Sequence, residues 1–252
     1  MGSGPMRLTR LARVAQALPV RPVRAAESEM LDQSGHDPAL LAGNLADLRR
    51  VNRWFGGVRL TIAGLDVLTP DLRHGDSLRV IDVATGGADI PVAVAKWARR
   101  RGLRTHILAT DRSAEILRLA ECPGADRVDF AIADACHLPF ADDSFDVAIC
   151  SLVLHHLSPE EAVSMLQEMR RVARRGIVMN DLVRNWPGYA GAWLFSRALT
   201  NNRLTRHDAP LSARRAYTRR EMAALLSTAG LSPLSSVGFL GYRIALIARA
   251  SQ

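Results

Sequence analysis

Four segments that are predicted to be strands carry hydrogen-bonding side chains at or near their ends. Asp82 lies near the end of the first strand, and Asp111, Asp134 and Ser151 follow the next three. The carboxyl ends of parallel strands meet at one edge of a sheet, where ligands bind. A helix cap or a turn explains any one Asp taken singly. A shared ligand site explains the set better.

A glycine-containing turn follows the first strand. The run from Val80 to Ile90 is apolar at first, contains Gly86 and Gly87, and then opens a helix that Asp89 is expected to cap. Glycines let the backbone approach a ligand, and a helix N-terminus attracts anionic or oxygen-rich groups. The alternative is a sharp turn with no ligand. Asp111, roughly 20 residues further on, suits bidentate hydrogen bonding to ribose hydroxyls.

Histidines at two places are candidates for a general base. His156 follows the fourth strand at the same edge, and His207 stands between Arg206 and Asp208. An imidazole has a suitable pKa for deprotonating a phenol or an enol, and Arg206 would bind an acidic hydroxyl. The alternatives are a turn histidine without a chemical role at His156 and a solvated polar turn around His207.

The order of elements predicts an α/β fold. From residue 75 strands alternate with helices, and the last two strands form an antiparallel hairpin. This pattern predicts a doubly wound, mostly parallel, seven-stranded sheet. The predicted strands are residues 78–83, 105–110, 128–133, 145–150, 176–179, 237–240 and 243–248.

Other regions are predicted outside this alternation. Residues 1–26 are an arginine-rich extension, for which a loosely ordered arm is favoured over a membrane-surface helix. Residues 27–74 form a helical cap, and residues 75–252 form the core. Within the core, residues 182–217 are expected to form a lid with its own helix and a polar turn at 201–208.

Composition limits the class of protein. Of the 252 residues 48% are hydrophobic, which suffices for a sizeable core, and no run is long and apolar enough for a membrane span. The net charge is +8, but only 5% of residues are aromatic, which disfavours a nucleic-acid partner. Cys122, Cys136 and Cys150 show no CxxC spacing. We therefore expect reduced thiols, no metal site and a cytoplasmic location.

The central part of the chain resembles class I S-adenosylmethionine-dependent methyltransferases. Residues 80–90 resemble the first family motif, residues 107–112 the second, and residues 133–135 the segment that holds adenine. Residues 138–147 are similar to a recurrent family segment before the fourth strand. The resemblance covers residues 78–181 well, and it implies the methyltransferase fold and S-adenosylmethionine as cofactor.

The resemblance also implies roles for single residues. Gly86 and Gly87 would approach the methionine part of the cofactor, Asp111 would bind both ribose hydroxyls, and Asp134 would accept from the adenine amino group. The predicted cofactor-binding set is Asp82, Ala84, Gly86, Gly87, Asp89, Asp111, Arg112, Asp134, Ala135 and Ser151. Ala84 and Ala88 stand where the family usually has glycine. Alanine disfavours positive φ, so we expect ordinary backbone angles there or a cofactor that sits slightly higher.

These observations predict a metal-independent enzyme that methylates, on oxygen, a small phenolic or polyketide-like acceptor. Aromatic residues of the cap and lid favour a lipophilic acceptor, although lid packing alone would also need them; they are Trp54, Phe55, Trp186, Tyr189, Trp193 and Phe195. The catalytic candidates are His156, His207 and Arg206. A monomer or homodimer is expected.

Other functions stay open. One is a relative that keeps the cofactor pocket without methyl transfer, and another is an RNA methyltransferase. An NAD-linked oxidoreductase is disfavoured because the third glycine of its fingerprint is absent.

Overall fold

Seven strands form one mixed sheet in the computed structural model, which describes residues 21–120 and 128–250. The strands are β1 Ser77–Val83, β2 Arg104–Asp111, β3 Val128–Ile132, β4 Phe145–Ser151, β5 Ala173–Leu182, β6 Leu231–Phe239 and β7 Arg243–Ala250. Their order is β3-β2-β1-β4-β5-β7-β6. β7 runs antiparallel to both β5 and β6, and the other neighbours are parallel. The predicted fold class is confirmed.

Helices cover both faces of the sheet. They are α1 Pro38–Trp54, α2 Gly57–Leu68, α3 Asp89–Arg100, α4 Ala114–Leu119, α5 Pro159–Val172, α6 Trp186–Ala198, α7 Arg203–Arg215 and α8 Arg219–Thr228. Helices α2 and α3 pack on one face, and α5 and α8 on the other. Neighbouring residues of β1 therefore enter different cores: Val80 packs with α2 and α3, and Ile81 with α5 and α8. A strand buried on both faces needs the continuous apolar run that the sequence shows.

The lid differs from its prediction. It contains two helices, α6 and α7, and most of the polar turn expected at 201–208 lies inside α7. Asn202 starts α7, since its side chain accepts hydrogen bonds from the backbone N–H groups of Leu204 and Thr205. Buried Leu204 and Leu211 hold this polar helix to the protein, even though Pro210 lies within it. Tertiary packing thus overrides a local sequence that favours a turn.

The segment before the cap packs on the lid. The Nε of Arg24 donates to the carbonyl of Arg215 over 2.8 Å, and its guanidinium lies 4.1 Å from the centre of the Tyr217 ring. The backbone N–H of Ala25 donates to the carbonyl of Arg214 over 3.3 Å. Residues 21–26 therefore differ from the loose arm predicted for the extension. Residues 1–20 and Cys122 lie outside the described residues.

No helix among residues 21–120 and 128–250 is long and apolar enough to cross a membrane.

Candidate functional site

A cavity of about 870 Å³ opens at the carboxyl ends of the central strands. The glycine loop after β1 and the residues that follow β2, β3 and β4 line one side of it. Residues 28–36, α1, α6 and α7 line the other side. We call the first side the cofactor side and the second, together with His155 and His156, the acceptor side.

Asp111 fastens the glycine loop on the cofactor side. One of its carboxylate oxygens accepts from the backbone N–H of Gly86 and the other from that of Ser113, both over 3.0 Å. Each carboxylate oxygen has a further lone pair. Asp111 lines the cavity, so it can hold a ligand hydroxyl while it also fixes the loop.

Two alanines of the loop adopt a backbone conformation that glycine favours. The φ angles are 55° at Ala84 and 56° at Ala88, similar to the 57° of Gly86. The expectation of ordinary backbone angles is therefore wrong. The left-handed region costs an L-residue about 1–2 kcal/mol. The tight turn between β1 and α3 imposes this strain.

Two aspartates beside the loop, Asp82 and Asp89, have different environments. Asp82 is buried away from the cavity, and its side chain accepts from the hydroxyl of Thr85 over 2.6 Å. Burial raises the pKa of Asp82 to about 8, and the nearby Asp89 and Asp111 add to the effect. Among the ten predicted cofactor-binding residues, Asp82 alone does not line the cavity.

Asp89 lines the cavity but does not cap α3 as predicted. Ala88 occupies the N-cap position, and Asp89 is the first residue of the helix. One Asp89 oxygen accepts from the side-chain amide of Asn52 over 3.3 Å. The other is buried and has no hydrogen-bond partner among the described residues. Because Asn52 belongs to the cap, this pairing could not be inferred from the spacing around β1.

The far end of the cofactor side is more open. Asp134 accepts from the backbone N–H of Cys136 over 2.9 Å, and its side chain is 59% exposed. Arg112 is also exposed, and its guanidinium lies 3.7 Å from Asp32. Both line the cavity together with Ala135 and Ser151. The structure thus brings nine of the ten predicted residues to one cavity.

The two histidine candidates occupy different places. His156 lines the cavity, and its Nδ1 lies 2.9 Å from a carboxylate oxygen of Asp32. Neither His207 nor Arg206 belongs to the cavity lining. His207 is half-exposed and its Nδ1 lies 2.7 Å from the carboxylate of Asp208, which also accepts from the N–H groups of Met30 and Leu31. The expectation that His207 and Arg206 face an acceptor is therefore corrected.

Two residues of the acceptor side were not predicted. His155 is buried, with its Nδ1 2.7 Å from Asp181 and its Nε2 3.6 Å from Glu29. Glu29 is also buried, which raises its pKa to about 7. The adjacent histidines after β4 and the acidic residue at the end of β5 were visible signals. No local pattern marks Glu29, because it reaches the site from the first residues of the cap, ahead of α1.

The aromatic candidates differ in whether they line the cavity. Phe55 of the cap and Phe195 of the lid line the cavity, and their rings meet edge to face with centroids 5.5 Å apart. Trp54 is 57% exposed and Trp193 48% exposed. Neither Trp186 nor Tyr189 lines the cavity. Of the six aromatic candidates, only Phe55 and Phe195 therefore line the cavity.

Part of the chain is similar to known methyltransferases. Residues 81–179 match the family model described as "Methyltransferase domain". The chain is 35% identical to the demethylmenaquinone methyltransferase of Thermotoga maritima over 97 residues, which are 38% of this chain and 39% of that protein. The chain thus spans about two fifths of the length of this curated relative.

Solved structures share the fold. A SAM-dependent methyltransferase from Aquifex aeolicus superposes with a TM-score of 0.58 at 19% identity, covering 85% of this chain and 98% of that one. Human N-acetylserotonin methyltransferase in complex with SAM gives a TM-score of 0.62 at 16% identity, covering 86% of this chain and 57% of that one.

Proposed function

We propose that the protein, whose residues 81–179 match the family model described as "Methyltransferase domain", transfers the methyl group of S-adenosylmethionine to a small acceptor. The observation that carries this proposal is the convergence of the glycine loop, Asp111 and Asp134 on one cavity. A volume of about 870 Å³ lies in the range of small-molecule sites. It leaves limited room beside a cofactor, which favours a small acceptor.

The cofactor side fits the chemical groups of S-adenosylmethionine. Asp111 would hold the ribose hydroxyls, and Asp134 with Ala135 would bind the adenine. The unpartnered oxygen of Asp89 would accept from the amino group of the methionine part. A buried carboxylate oxygen without a partner is costly, and a cationic donor removes that cost.

The acceptor side fits a lipophilic hydroxyl compound. The cofactor supplies a methyl group already activated on a sulfonium, so the protein mainly aligns the acceptor in a dry pocket. Phe55 and Phe195 would contact an aromatic ring. His156, held by Asp32, would help an acceptor hydroxyl to lose its proton. We therefore propose O-methylation of a phenolic or polyketide-like acceptor.

Calorimetry with S-adenosylhomocysteine tests the cofactor half of the proposal. The Asp111→Ala variant should bind about 100-fold more weakly than wild type, because it loses charge-assisted hydrogen bonds worth about 1.5–3 kcal/mol each. Asp129→Ala is the matched control, since Asp129 is 64% exposed on β3 and pairs with His106. No binding by wild type, or equal binding by Asp111→Ala, would remove the cofactor argument. Strongly salt-dependent binding of RNA to the protein would favour an RNA methyltransferase.

Mass spectrometry tests the acceptor half. The protein is incubated with labelled S-adenosylmethionine and a panel of phenols and polyketides, and the labelled product identifies the acceptor. His156→Ala should lower turnover at least tenfold while cofactor affinity is retained, because general acid–base catalysis typically contributes about 10²–10⁴-fold to the rate. His207→Ala is the control and should change turnover less than about twofold, since His207 does not line the cavity. Equal effects of both substitutions would argue against His156 acting at the acceptor.

A further inference from the structure

Three side chains on the acceptor side converge without bonding to one another. The Nε2 atoms of His155 and His156 lie 3.6 and 3.7 Å from the two carboxylate oxygens of Glu29. One ligand atom from each residue lies within 4.8 Å of the other two. These separations exceed those of good hydrogen bonds. Ligand atoms that are each about 2.0–2.1 Å from one tetrahedral Zn²⁺ stand about 3.3–3.5 Å apart. The two N···O separations are slightly longer than this and reach different oxygens of Glu29.

The other nitrogen of each imidazole is already held. The Nδ1 of His155 lies 2.7 Å from Asp181, and the Nδ1 of His156 lies 2.9 Å from Asp32. An ionised carboxylate only accepts hydrogen bonds, so in the neutral ring Nδ1 carries the hydrogen and the lone pair is left on Nε2. Metal-binding histidines usually have this outer carboxylate. Both rings are therefore oriented and in the correct tautomer for coordination.

The surrounding charge favours a cation. Glu29, Asp32, Asp181 and Asp208 lie around the cluster, while the guanidinium of Arg215 lies 4.0 Å from Glu29. Four carboxylates, Glu29 included, thus adjoin the two imidazoles, against two guanidinium groups, that of Arg215 and that of Arg112, which lies 3.7 Å from Asp32. A dication would balance this excess of negative charge.

We propose that Glu29, His155 and His156 bind a divalent transition-metal ion, for which zinc best matches two imidazoles and one carboxylate. All three residues line the cavity, so the fourth position is open to an acceptor. Three protein ligands with one open position are typical of catalytic rather than structural zinc. The proposed site is an alternative to the metal-independent enzyme that the sequence predicts.

Its chemical role rests on the proposed function. An acceptor hydroxyl bound to the ion would be more acidic, and His156 would then act as a ligand. The acceptor O–H bond breaks and its proton passes to water. The oxygen forms the new bond to the methyl carbon, and the sulfur keeps the electron pair of the broken S–C bond, which leaves S-adenosylhomocysteine.

Metal titration tests the site without any activity measurement. The full chain is stripped with a chelator, and Zn²⁺ binding is followed by calorimetry against a competing chelator, with Co²⁺ absorption as a second probe. We expect one ion per chain. Glu29→Gln and His156→Ala should weaken binding at least 100-fold, and Asp32→Asn about 10–100-fold, because Asp32 only orients a ligand. His207→Ala, which removes an imidazole that pairs with Asp208 but does not itself line the cavity, should leave binding unchanged.

Folding and S-adenosylhomocysteine binding are measured on the same samples as controls. Asp32 is partly exposed, so Asp32→Asn keeps the test valid if a buried variant unfolds. No stoichiometric Zn²⁺ binding by wild type, or equal loss in the His207→Ala control, would overturn the metal site. If S-adenosylhomocysteine still bound in that case, the proposed function would stand without the metal. If zinc bound and S-adenosylhomocysteine did not, the metal site would stand and the proposed function would be contradicted.

Discussion

The cofactor side and the acceptor side of the cavity are built by contacts of different range along the chain. On the cofactor side Thr85 bonds to Asp82 three residues away, and Gly86 bonds to Asp111 at a separation of 25. On the acceptor side His156 bonds to Asp32 at a separation of 124, and Met30 bonds to Asp208 at 178. The first is made by one strand–loop–helix unit and its neighbour strand. The second exists only when the first residues of the cap, ahead of α1, pack on α7.

The two sides also differ in backbone strain and in the hydrogen bonding of their buried groups. The cofactor side contains strained backbone at Ala84 and Ala88 and a buried carboxylic acid at Asp82. The acceptor side instead contains long-range hydrogen bonds, such as those of His156 with Asp32 and of Met30 with Asp208. The predictions below test whether this contrast holds, beginning with the residue that joins the two sides.

Arg243 should give the largest effect. It is fully buried on β7 and donates to Asn180, Asn52 and Ser151 over 2.9, 2.7 and 2.9 Å. Arg243→Leu leaves these oxygens without a donor, and each buried orphan costs about 1–3 kcal/mol. We expect about 3 kcal/mol less stability, or a Tm about 6–12 °C lower by calorimetry.

Arg249→Leu is its matched control on the same strand, because Arg249 is exposed and bonds to one carbonyl. It should change the Tm by less than about 2 °C. If both substitutions cost the same, Arg243 does not tie the cap to the sheet, and the two sides are independent.

The contrast also explains what the sequence could predict. Apolar runs and turn residues predict β1, its loop and the acids at the strand ends, because one strand–loop–helix unit contains the whole signal. The partner of Asp89 in α1, the helix around His207 and the place of Glu29 depend on tertiary packing. The φ angles of Ala84 and Ala88 were missed for a third reason. Alanine favours negative φ, but the turn between β1 and α3 requires positive φ at both positions.

Asp82 should make the stability of the apoprotein depend on pH. Its pKa is raised from an ordinary value near 3.8 to about 8 in the folded state, mainly by burial and also by Asp89 and Asp111. The folded protein therefore holds a proton that the unfolded chain releases. Stability should fall as pH rises from about 4 to about 8.

The Asp82→Asn variant tests this pH dependence. It keeps the size of the side chain and an oxygen for the Thr85 hydroxyl, but it does not ionise. At pH 8 it should be more stable than wild type by at least about 1.4 kcal/mol, roughly 3–5 °C in Tm. The gain should vanish below about pH 3, where wild-type Asp82 is protonated in both states. A gain that did not vary with pH would mean that Asp82 is not the titrating group.

The smallest expected effect concerns the two alanines with positive φ, and it should differ between them. Glycine relieves the backbone strain at either position, but it adds entropy to the unfolded chain. Ala84 is partly exposed on the cavity, so Ala84→Gly should stabilise the protein by about 0.5–1 kcal/mol. Ala88 is fully buried, and losing its methyl group costs about 0.8 kcal/mol, which cancels the gain. Ala93→Gly inside α3 is the control and should destabilise by about 0.5–1 kcal/mol. Urea unfolding measures all three, and an Ala84→Gly variant that is destabilised as much as Ala93→Gly would show that the turn carries no strain.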